Sequence, residues 1–203
     1  TSLVGSEMCI RDSYNLIHKV DTLIVGGGMA NTFLLAQGFI IGTSLAEHKM
    51  KDSARIILNS AEKAGCRILL PTDAVVAKEL NTNADICVVP INECPKASMI
   101  LDIGPYTVEK IKEILQNSKT VIWNGPPGAF EVKPFDGATN ELANFVSMLS
   151  NEKKLVSIAG GGDTLAALNN AEASNGFSYL SSAGGAFLEW MEGKILPGIA
   201  ALQ

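Results

Sequence analysis

Residues 155–164 read LVSIAGGGDT, an apolar run followed by three glycines, an aspartate and a threonine. The run Leu155–Ala159 is apolar at nearly every position, which is typical of a strand covered on both faces of a parallel sheet. The glycines allow a tight turn, and a helical pattern follows them to about Ala171. This stretch therefore predicts the strand–turn–helix unit from which parallel α/β sheets are built.

The same unit recurs along the chain. Predicted strands at Thr22–Val25, Thr120–Trp123 and Phe177–Ser181 also end in glycine-rich turns that lead towards helices. This alternation, with no low-complexity linker, predicts one α/β domain: a Rossmann-like three-layer fold with a mainly parallel sheet. The other predicted elements are the helices Met29–Gln37, Ala46–Ala64, Val108–Gln116, Thr139–Leu149 and Ala186–Met191 and the strands Arg67–Leu70 and Ile86–Val89.

The composition restricts the kinds of partner. The chain has 203 residues, of which 47% are hydrophobic and 18% charged, and its formal net charge is −5. A negative chain without a basic stretch predicts no nucleic-acid partner and no anionic-membrane surface. A phosphate compound bound here would have to be held by oriented backbone amides or by a metal ion.

The four cysteines, Cys9, Cys66, Cys87 and Cys94, do not form a close CxxC pair, so we expect buried or inert thiols of a reducing cytosol. No apolar run approaches the roughly 20 residues of a membrane span, and no signal-peptide pattern opens the chain. The sequence therefore predicts a cytoplasmic protein.

Residues 1–13 have neither an apolar period nor a helix cap. One back-translation of Met8–Ser13 resembles the end of a transposase adapter used to prepare sequencing libraries, and Leu3–Glu7 fits the adapter bases upstream. We interpret residues 1–13 as a non-native, adapter-derived tail and residues 14–203 as the domain. A natural, disordered N-terminal tail is the alternative.

Four predicted strands end in glycine-rich turns at what should be one edge of the sheet. In open parallel sheets ligands bind beyond the carboxyl ends of the strands, and helix N-termini there present N–H groups to phosphates. A single turn of this kind would be weak evidence, because glycine often serves packing alone. Four turns together favour a nucleotide or a polyphosphate ligand.

Two common nucleotide motifs are absent. Gly26 and Gly28 give G-x-G, but Asn31 stands where the third glycine of a dinucleotide fingerprint would be. The dipeptide Gly193-Lys194 is followed by Ile195 and not by Ser or Thr, so the chain has no G-K-S/T triplet of a P-loop. A dehydrogenase-type domain is therefore disfavoured, and the phosphate site is of another kind.

Three side chains near these turns could carry chemistry. Asp163 could complete a magnesium site, because Mg²⁺ takes one or two carboxylates together with substrate phosphates; a simple helix N-cap is the alternative. Thr164 could donate its hydroxyl to a phosphate oxygen. Glu131 could accept ribose hydroxyls, or it could be a solvated surface residue.

Several rare motifs in order and spacing resemble the phosphoglycerate kinase family. They are DTLIVGGGMANTF at Asp21–Phe33, LDIGP at Leu101–Pro105, WNGPPGAFE at Trp123–Glu131, AGGGDT at Ala159–Thr164 and SSAGGAFLEWME at Ser181–Glu192. The resemblance covers about Leu16 to Gln203. It implies a glycolytic kinase, a phosphotransferase with a carboxyl group as acceptor, that converts 1,3-bisphosphoglycerate and Mg-ADP reversibly into 3-phosphoglycerate and Mg-ATP.

The resemblance also implies roles for individual residues. In this family the C-terminal domain holds the nucleotide, the N-terminal domain holds the sugar acid, and a hinge closes them together. The implied adenine-pocket residues are Gly27, Gly28, Leu45, Leu101 and Pro126. The other implied nucleotide contacts are Asn124, Glu131, Gly161, Gly162 and Thr164. The implied magnesium ligand is Asp163, and the backbone amides of Gly184 and Gly185 are implied to stabilise the transferring phosphoryl group. The implied partners are ADP or ATP, and the implied state is a monomer.

The chain departs from the family pattern in ways that limit its expected activity. Pro127 stands where an apolar side chain such as Met, Leu or Val is usual, and Ser182-Ala183 replaces the commoner Thr-Gly. The family's nucleotide-phosphate lysine and its sugar-acid residues do not occur in this sequence. We therefore expect a fragment that binds nucleotide and is inactive alone, with a non-enzymatic ADP/ATP-binding module as the first alternative and an unrelated dehydrogenase-type domain as the second.

Overall fold

The computed structural model describes residues 13–181. The strands are β1 (Thr22–Ile24), β2 (Arg67–Leu69), β3 (Asp73–Ala77), β4 (Cys87–Pro90), β5 (Met99–Ile103), β6 (Thr120–Asn124), β7 (Val156–Gly160) and β8 (Tyr179–Ser181). The α-helices that lie wholly within the described residues are α1 (Gly27–Gln37), α2 (Lys51–Ala64), α3 (Pro105–Gln116), α4 (Gly137–Asn151) and α5 (Gly162–Asn170). The predicted turn at residues 182–185 and the predicted helix Ala186–Met191 lie outside the described residues.

Two of the sheets formed by residues 13–181 are parallel. β1 pairs with β2, with Thr22 opposite Arg67. β6, β7 and β8 lie side by side in that order, with Thr120 opposite Val156. Helices follow β1, β6 and β7 in the chain, as the repeated unit requires. The prediction of an α/β fold with mainly parallel pairing is confirmed.

A third sheet is antiparallel, in the order β4–β3–β5, and the sequence analysis did not predict it. The sequence predicts only one strand here, at Ile86–Val89, which corresponds to β4. β3 and β5 each carry a buried aspartate, Asp73 and Asp102, within a short apolar run. These carboxylates are buried because they accept backbone N–H groups at helix N-termini, a pairing that a local sequence pattern does not reveal.

The predicted helix Ala46–Ala64 begins later in the structure. α2 starts at Lys51 after a 3-10 turn at His48–Met50. The preceding residues belong to a loop held against α1, since the N–H of Glu47 donates to Thr32 Oγ1 at 2.9 Å. The predicted C-terminal cap is present: Gly65 has φ 73°, in the left-handed region that favours glycine.

Two of the three apolar clusters among the described residues hold the helices against the parallel sheets. The larger cluster includes Val146 of α4, Ala159 of β7 and Leu168 of α5, all of which are completely buried. In the second, Phe33 of α1 packs with Ile57 of α2. Because each buried aliphatic or aromatic side chain contributes about 1.5–3 kcal/mol, α1 and α5 start from well-anchored positions.

The cysteines are mostly as expected. In the described part of the chain Cys66 and Cys94 are buried and Cys87, on the edge strand β4, is exposed; all three are free thiols. Burial raises the pKa of Cys66 and of Cys94, which keeps both thiols protonated and unreactive. Between residues 13 and 181, no helix has the length and apolar character needed to cross a membrane.

The first described residue, Ser13, belongs to the segment predicted to be non-native. It is buried, and its Oγ lies 3.8 Å from Met29 Sδ in α1. The other residues of that segment lie outside the described part of the chain. The boundary of the tail therefore stays a prediction.

A cleft of about 530 Å³ lies between β1 and β6, which belong to different sheets. Its deep part is lined by apolar side chains, among them Ile24, Leu69 and Val121. Its mouth lies at the carboxyl ends of the strands, where three glycine-rich turns converge. This mouth is the candidate functional site.

Candidate functional site

The three turns at the mouth are joined to one another by hydrogen bonds. The N–H of Gly27, after β1, donates to the carbonyl oxygen of Pro127, after β6, at 3.0 Å. The N–H of Gly125, after β6, donates to Thr164 Oγ1, in the first turn of α5, at 2.7 Å. The turn after β6 thus lies between the other two and contacts both. The fourth predicted turn, with Gly184 and Gly185, is outside the described residues.

Close backbone approach explains the glycine at the first turn. A Cβ placed on Gly26 would lie 2.8 Å from Pro127 Cα, closer than real Cβ contacts allow. Pro127, the departure from the family pattern, contributes its carbonyl group to the Gly27 hydrogen bond. The absence of an N–H on Pro127 therefore does not disturb this junction.

The turn after β7 places a carboxylate at the mouth. Gly161 has φ 95°, and a Cβ on it would lie 2.7 Å from Asn124 Oδ1, so the side chain of Asn124 covers this turn. Asp163 is exposed and lies in the first turn of α5, whose N-cap residue is Gly161. The N-cap alternative for Asp163 is therefore not what the structure shows. Asp163 instead faces the mouth together with the N-terminus of α5.

Thr164 is more buried than a hydroxyl whose only role is to donate a hydrogen bond to a phosphate. It is 1% exposed, and its oxygen accepts the Gly125 N–H. A hydroxyl that accepts one hydrogen bond still carries a proton that it can donate. Thr164 can thus fix the geometry of two turns and offer its own proton to a ligand oxygen.

Leu45 forms one wall of the mouth. Its side chain is 72% exposed, and a Cβ on Gly28 would lie 3.5 Å from Leu45 Cδ2. Two buried polar residues of α1 hold this wall: Asn31 Nδ2 donates to the carbonyl oxygen of Leu45 at 3.0 Å, and Thr32 Oγ1 accepts the Glu47 N–H. An exposed leucine held by buried polar groups is available for contact with a flat apolar ligand surface.

Sequence reasoning missed the part played by Asn31 and Thr32. Asn31 was informative only as the residue that replaces a third glycine. Both are almost completely buried, at 3% and 0% exposure. The available signal was two polar residues in the first turns of an otherwise apolar helix, at positions that face the core.

Of the predicted site residues, Gly27, Gly28, Leu45, Asn124, Pro126, Gly161, Gly162, Asp163 and Thr164 line the cleft. Two others do not line it. The carbonyl of Leu101 accepts the Ala129 N–H at 2.8 Å, so Leu101 supports the loop after β6 through its backbone. Glu131 is exposed further along that loop.

The charges at the mouth are acidic. Glu47 and Asp163 line the cleft, and within residues 13–181 no lysine, arginine or histidine does so. A phosphate group would therefore be held by the N-termini of α1 and α5 and by a cation. No cluster of three His, Cys, Asp or Glu side chains suited to a metal occurs among the described residues, so a metal at Asp163 would take its other ligands from phosphate oxygens and water.

The loop between β6 and α4 (residues 125–136, hereafter the β6–α4 loop) is fixed from behind by Asp102. Asp102 Oδ2 accepts the Ala138 N–H and Oδ1 accepts the Ile103 N–H, each at 2.9 Å. Burial, assisted by the nearby charge of Asp136, raises the pKa of Asp102 to about 7, although both hydrogen bonds oppose the shift. Among the described residues, Asp102 is the one carboxyl group whose pKa is strongly shifted.

The fold and the site define an α/β protein whose glycine turns and helix N-termini meet at the carboxyl edge of parallel strands, as in proteins that bind phosphate compounds. The chain belongs to the phosphoglycerate kinase family, because the family model of that description matches residues 8–194. The match begins within the segment predicted to be non-native.

Curated relatives agree with this assignment. The phosphoglycerate kinase of Ruegeria sp. (strain TM1040) is 59% identical over 189 residues, which is 93% of this chain and 48% of that protein. The phosphoglycerate kinase of Zymomonas mobilis subsp. mobilis is 56% identical over 189 residues, with the same coverage. The chain spans about half the length of the curated relatives it matches.

Solved structures of the family have the same fold. Phosphoglycerate kinase from Coxiella burnetii is similar over all of this chain and 50% of its own, with a TM-score of 0.88 and 43% identity. Phosphoglycerate kinase from Pyrococcus horikoshii OT3 is similar over 97% of this chain and 49% of its own, with a TM-score of 0.69 and 26% identity. The fold and the family assignment therefore support each other.

Proposed function

We propose that the chain supplies the Mg-nucleotide site of a phosphoglycerate kinase. In that reaction an oxygen of the ADP β-phosphate bonds to the 1-phosphoryl group of 1,3-bisphosphoglycerate. The bond from that phosphorus to the acyl oxygen breaks, and 3-phosphoglycerate leaves as a carboxylate. The observation that carries the proposal is the junction of three turns, where Gly125 bonds Thr164 beside the exposed carboxylate of Asp163.

The phosphate end of the site is assigned to the turn after β7. The N–H groups of Gly161 and Gly162, at the N-terminus of α5, bind phosphate oxygens, and the hydroxyl of Thr164 donates to one of them. Asp163 holds Mg²⁺, which when bound offsets negative charge on the phosphates. The fit rests on the chemistry of one exposed carboxylate beside a helix N-terminus, with space for phosphate and water ligands.

The base and sugar end is assigned to the opposite wall. Gly27, Gly28, Leu45 and Pro126 enclose the adenine, since a glycine surface and an exposed leucine offer the flat apolar walls that a purine needs. Leu101 assists from the strand behind the loop, Asn124 contacts the nucleotide, and Glu131 accepts ribose hydroxyls. The N–H groups of Gly184 and Gly185 stabilise the transferring phosphoryl group.

The remaining parts of the proposal concern the whole protein. The sugar acid binds to a second domain that is not in this sequence, so this chain alone binds ADP or ATP and does not turn over. The complete enzyme is a cytoplasmic monomer without nucleic-acid or membrane partners. The division between two domains is supported by the chain's match to about half the length of its relatives. The other statements rest on the family resemblance and on the negative net charge of the chain.

Calorimetric titration of the chain with Mg-ADP, Mg-ATP and NAD tests the proposed function. We expect Mg-ADP and Mg-ATP to bind ahead of NAD, because nothing in the described site is placed to hold a nicotinamide. Asp163→Ala should weaken Mg-ADP binding more than adenosine binding. Asp85→Ala, which removes an exposed acid that does not line the cleft, is the control. Preferential binding of NAD would favour a dehydrogenase-type domain instead.

A further inference from the structure

Asp102 contacts both ends of the β6–α4 loop. Near the start of the loop, a Cβ placed on Gly128 would lie 2.2 Å from Asp102 Oδ1, so backbone and carboxylate are in close contact. Just after the loop, Asp102 Oδ2 accepts the Ala138 N–H in the first turn of α4. Asp102 is 2% exposed, so bulk solvent has almost no access to these contacts.

The residue next to Asp102 adds a backbone contact to the same loop, because the carbonyl of Leu101 accepts the Ala129 N–H. The usual local cap of α4 is absent. Asp136 occupies the N-cap position, but its side chain makes no cap hydrogen bond and instead accepts from Asn140 Nδ2 at 2.9 Å. The N-terminus of α4, which follows β6 of a parallel sheet, is therefore capped by a carboxylate from β5 of the antiparallel sheet.

We propose that Asp102 is a positioning residue of the nucleotide site, which holds the β6–α4 loop so that Pro126 and Glu131 face the bound nucleotide. The proposal rests on the proposed function, since it gives that loop a ligand to contact. Asp102 does not itself line the cleft and acts only through the loop. Its effect should thus appear in nucleotide affinity and not only in stability.

Asp73 offers a matched control. It lies on β3, next to β5, is 8% exposed, and accepts the N–H groups of Tyr106 and Thr107 at the N-terminus of α3. It is thus a buried aspartate that caps a helix from a strand, as Asp102 does, but the helix it caps does not follow the β6–α4 loop. Its partner Thr107 lines the cleft but belongs to none of the three turns, so Asp73→Asn should reduce stability without changing the affinity for Mg-ADP by more than about twofold.

The test compares dissociation constants for Mg-ADP by calorimetry. Measured at pH 8, where Asp102 is mostly ionised, Asp102→Asn keeps the shape but loses one acceptor, so we expect about tenfold weaker binding, and Asp102→Ala should be weaker still. Combining Asp102→Asn with Glu131→Gln should cost less than the product of the single effects, because both act through one loop. Unchanged affinity in Asp102→Asn, equal losses in Asp73→Asn, or strictly multiplicative effects would overturn the proposal.

A measurement on the wild-type chain covers the case in which the Asp102 variants do not fold. Mg-ADP should slow amide hydrogen exchange at Ala138 and Ala129 at least about fivefold, because a loaded site steadies the loop that Asp102 holds. Binding of Mg-ADP without slower exchange there would refute the positioning role. A wild-type chain that binds no Mg-ADP would refute the proposed function itself, and the positioning role with it.

Discussion

The backbone N–H of Gly125 donates to Thr164 Oγ1 at 2.7 Å, which joins the turn after β6 to the first turn of α5. The two residues are 39 positions apart in sequence. Thr164 is almost completely buried, so a lost acceptor would leave the Gly125 N–H poorly satisfied. This one contact brings the sugar side and the phosphate side of the proposed site into a fixed relation.

Thr164→Val should therefore reduce both stability and nucleotide affinity. The methyl group keeps the volume but removes the acceptor, and we expect a loss of about 1–3 kcal/mol in the free energy of unfolding. Urea denaturation and Mg-ADP titration are the measurements. Thr164→Ser, which keeps the oxygen and removes only a buried methyl group, is the control; it should lose about 0.8 kcal/mol of stability and keep an affinity close to wild type. A Val variant as stable as the Ser variant would show that the contact contributes little.

Gly161 and its neighbour Gly162 should respond very differently to alanine. Gly161 has φ 95°, and its new Cβ would lie 2.7 Å from Asn124 Oδ1. Gly162 has nothing within 4 Å and lies at the start of α5. We expect Gly161→Ala to lower the thermal midpoint clearly and Gly162→Ala to leave it unchanged or slightly raised, since alanine favours helix. Equal midpoints would mean that the turn after β7 can shift freely.

Much of the parallel part of the fold could be predicted from the sequence. Consecutive apolar runs such as Leu155–Ala159, each followed by glycines and a helical period, are local features. The antiparallel sheet could not, because β3 and β5 contain Asp73 and Asp102, which look like loop residues until their helix N-terminus partners are known. The carboxylates are compatible with burial only through contacts made 33 and 36 positions away.

The site shows the same division. Glycine spacing predicts where the turns lie, and nine of the predicted residues meet at the cleft mouth, whereas Leu101 and Glu131 do not line it. The supporting contacts of Asn31, Thr32 and Asp102 are long-range hydrogen bonds between a side chain and a distant backbone group. Such contacts depend on how the elements pack, so they cannot be predicted from the spacing of residues in the sequence.

The raised pKa of Asp102 predicts a pH dependence of stability. Its pKa is 3.8 before folding and about 7 in the folded chain, so the folded state binds the proton more tightly. The contribution of this group to stability is thus complete below about pH 4 and is lost as the pH rises to about 7. At about 1.4 kcal/mol per pKa unit, the effect is on the order of a few kcal/mol.

Urea denaturation of the wild type and of Asp102→Asn between pH 4 and 8 measures this effect. The difference in free energy of unfolding, wild type minus variant, should fall between about pH 4 and 7 and be flat above that range. Taking the difference cancels the other titrating groups. A difference that rises with pH would show that the hydrogen bonds of the ionised carboxylate outweigh the cost of its burial.

The last prediction is that the chain alone binds Mg-ADP but forms no ATP from 1,3-bisphosphoglycerate. Phosphoryl transfer needs donor and acceptor held in line, and such positioning can lower a barrier by roughly 7–11 kcal/mol. The chain spans about half the length of its relatives. In addition, none of the described residues that line the cleft has a positively charged side chain to contact the transferring group. A coupled assay for ATP, with the full Ruegeria relative as positive control, should detect nothing.

Fusing the chain behind the N-terminal half of that 59% identical relative should restore turnover, because the fusion supplies the acyl-phosphate site and the missing positive charge. In the fusion Asp163→Ala should lower kcat/KM by about 100-fold or more, since charge on the phosphates would no longer be offset, while Asp85→Ala should have no effect. Turnover by the bare chain would contradict the division of the site between two domains. A fusion that folds and binds Mg-ADP but does not react would place the fault in the closure of the domains or in Pro127, where the turn after β6 meets Gly27.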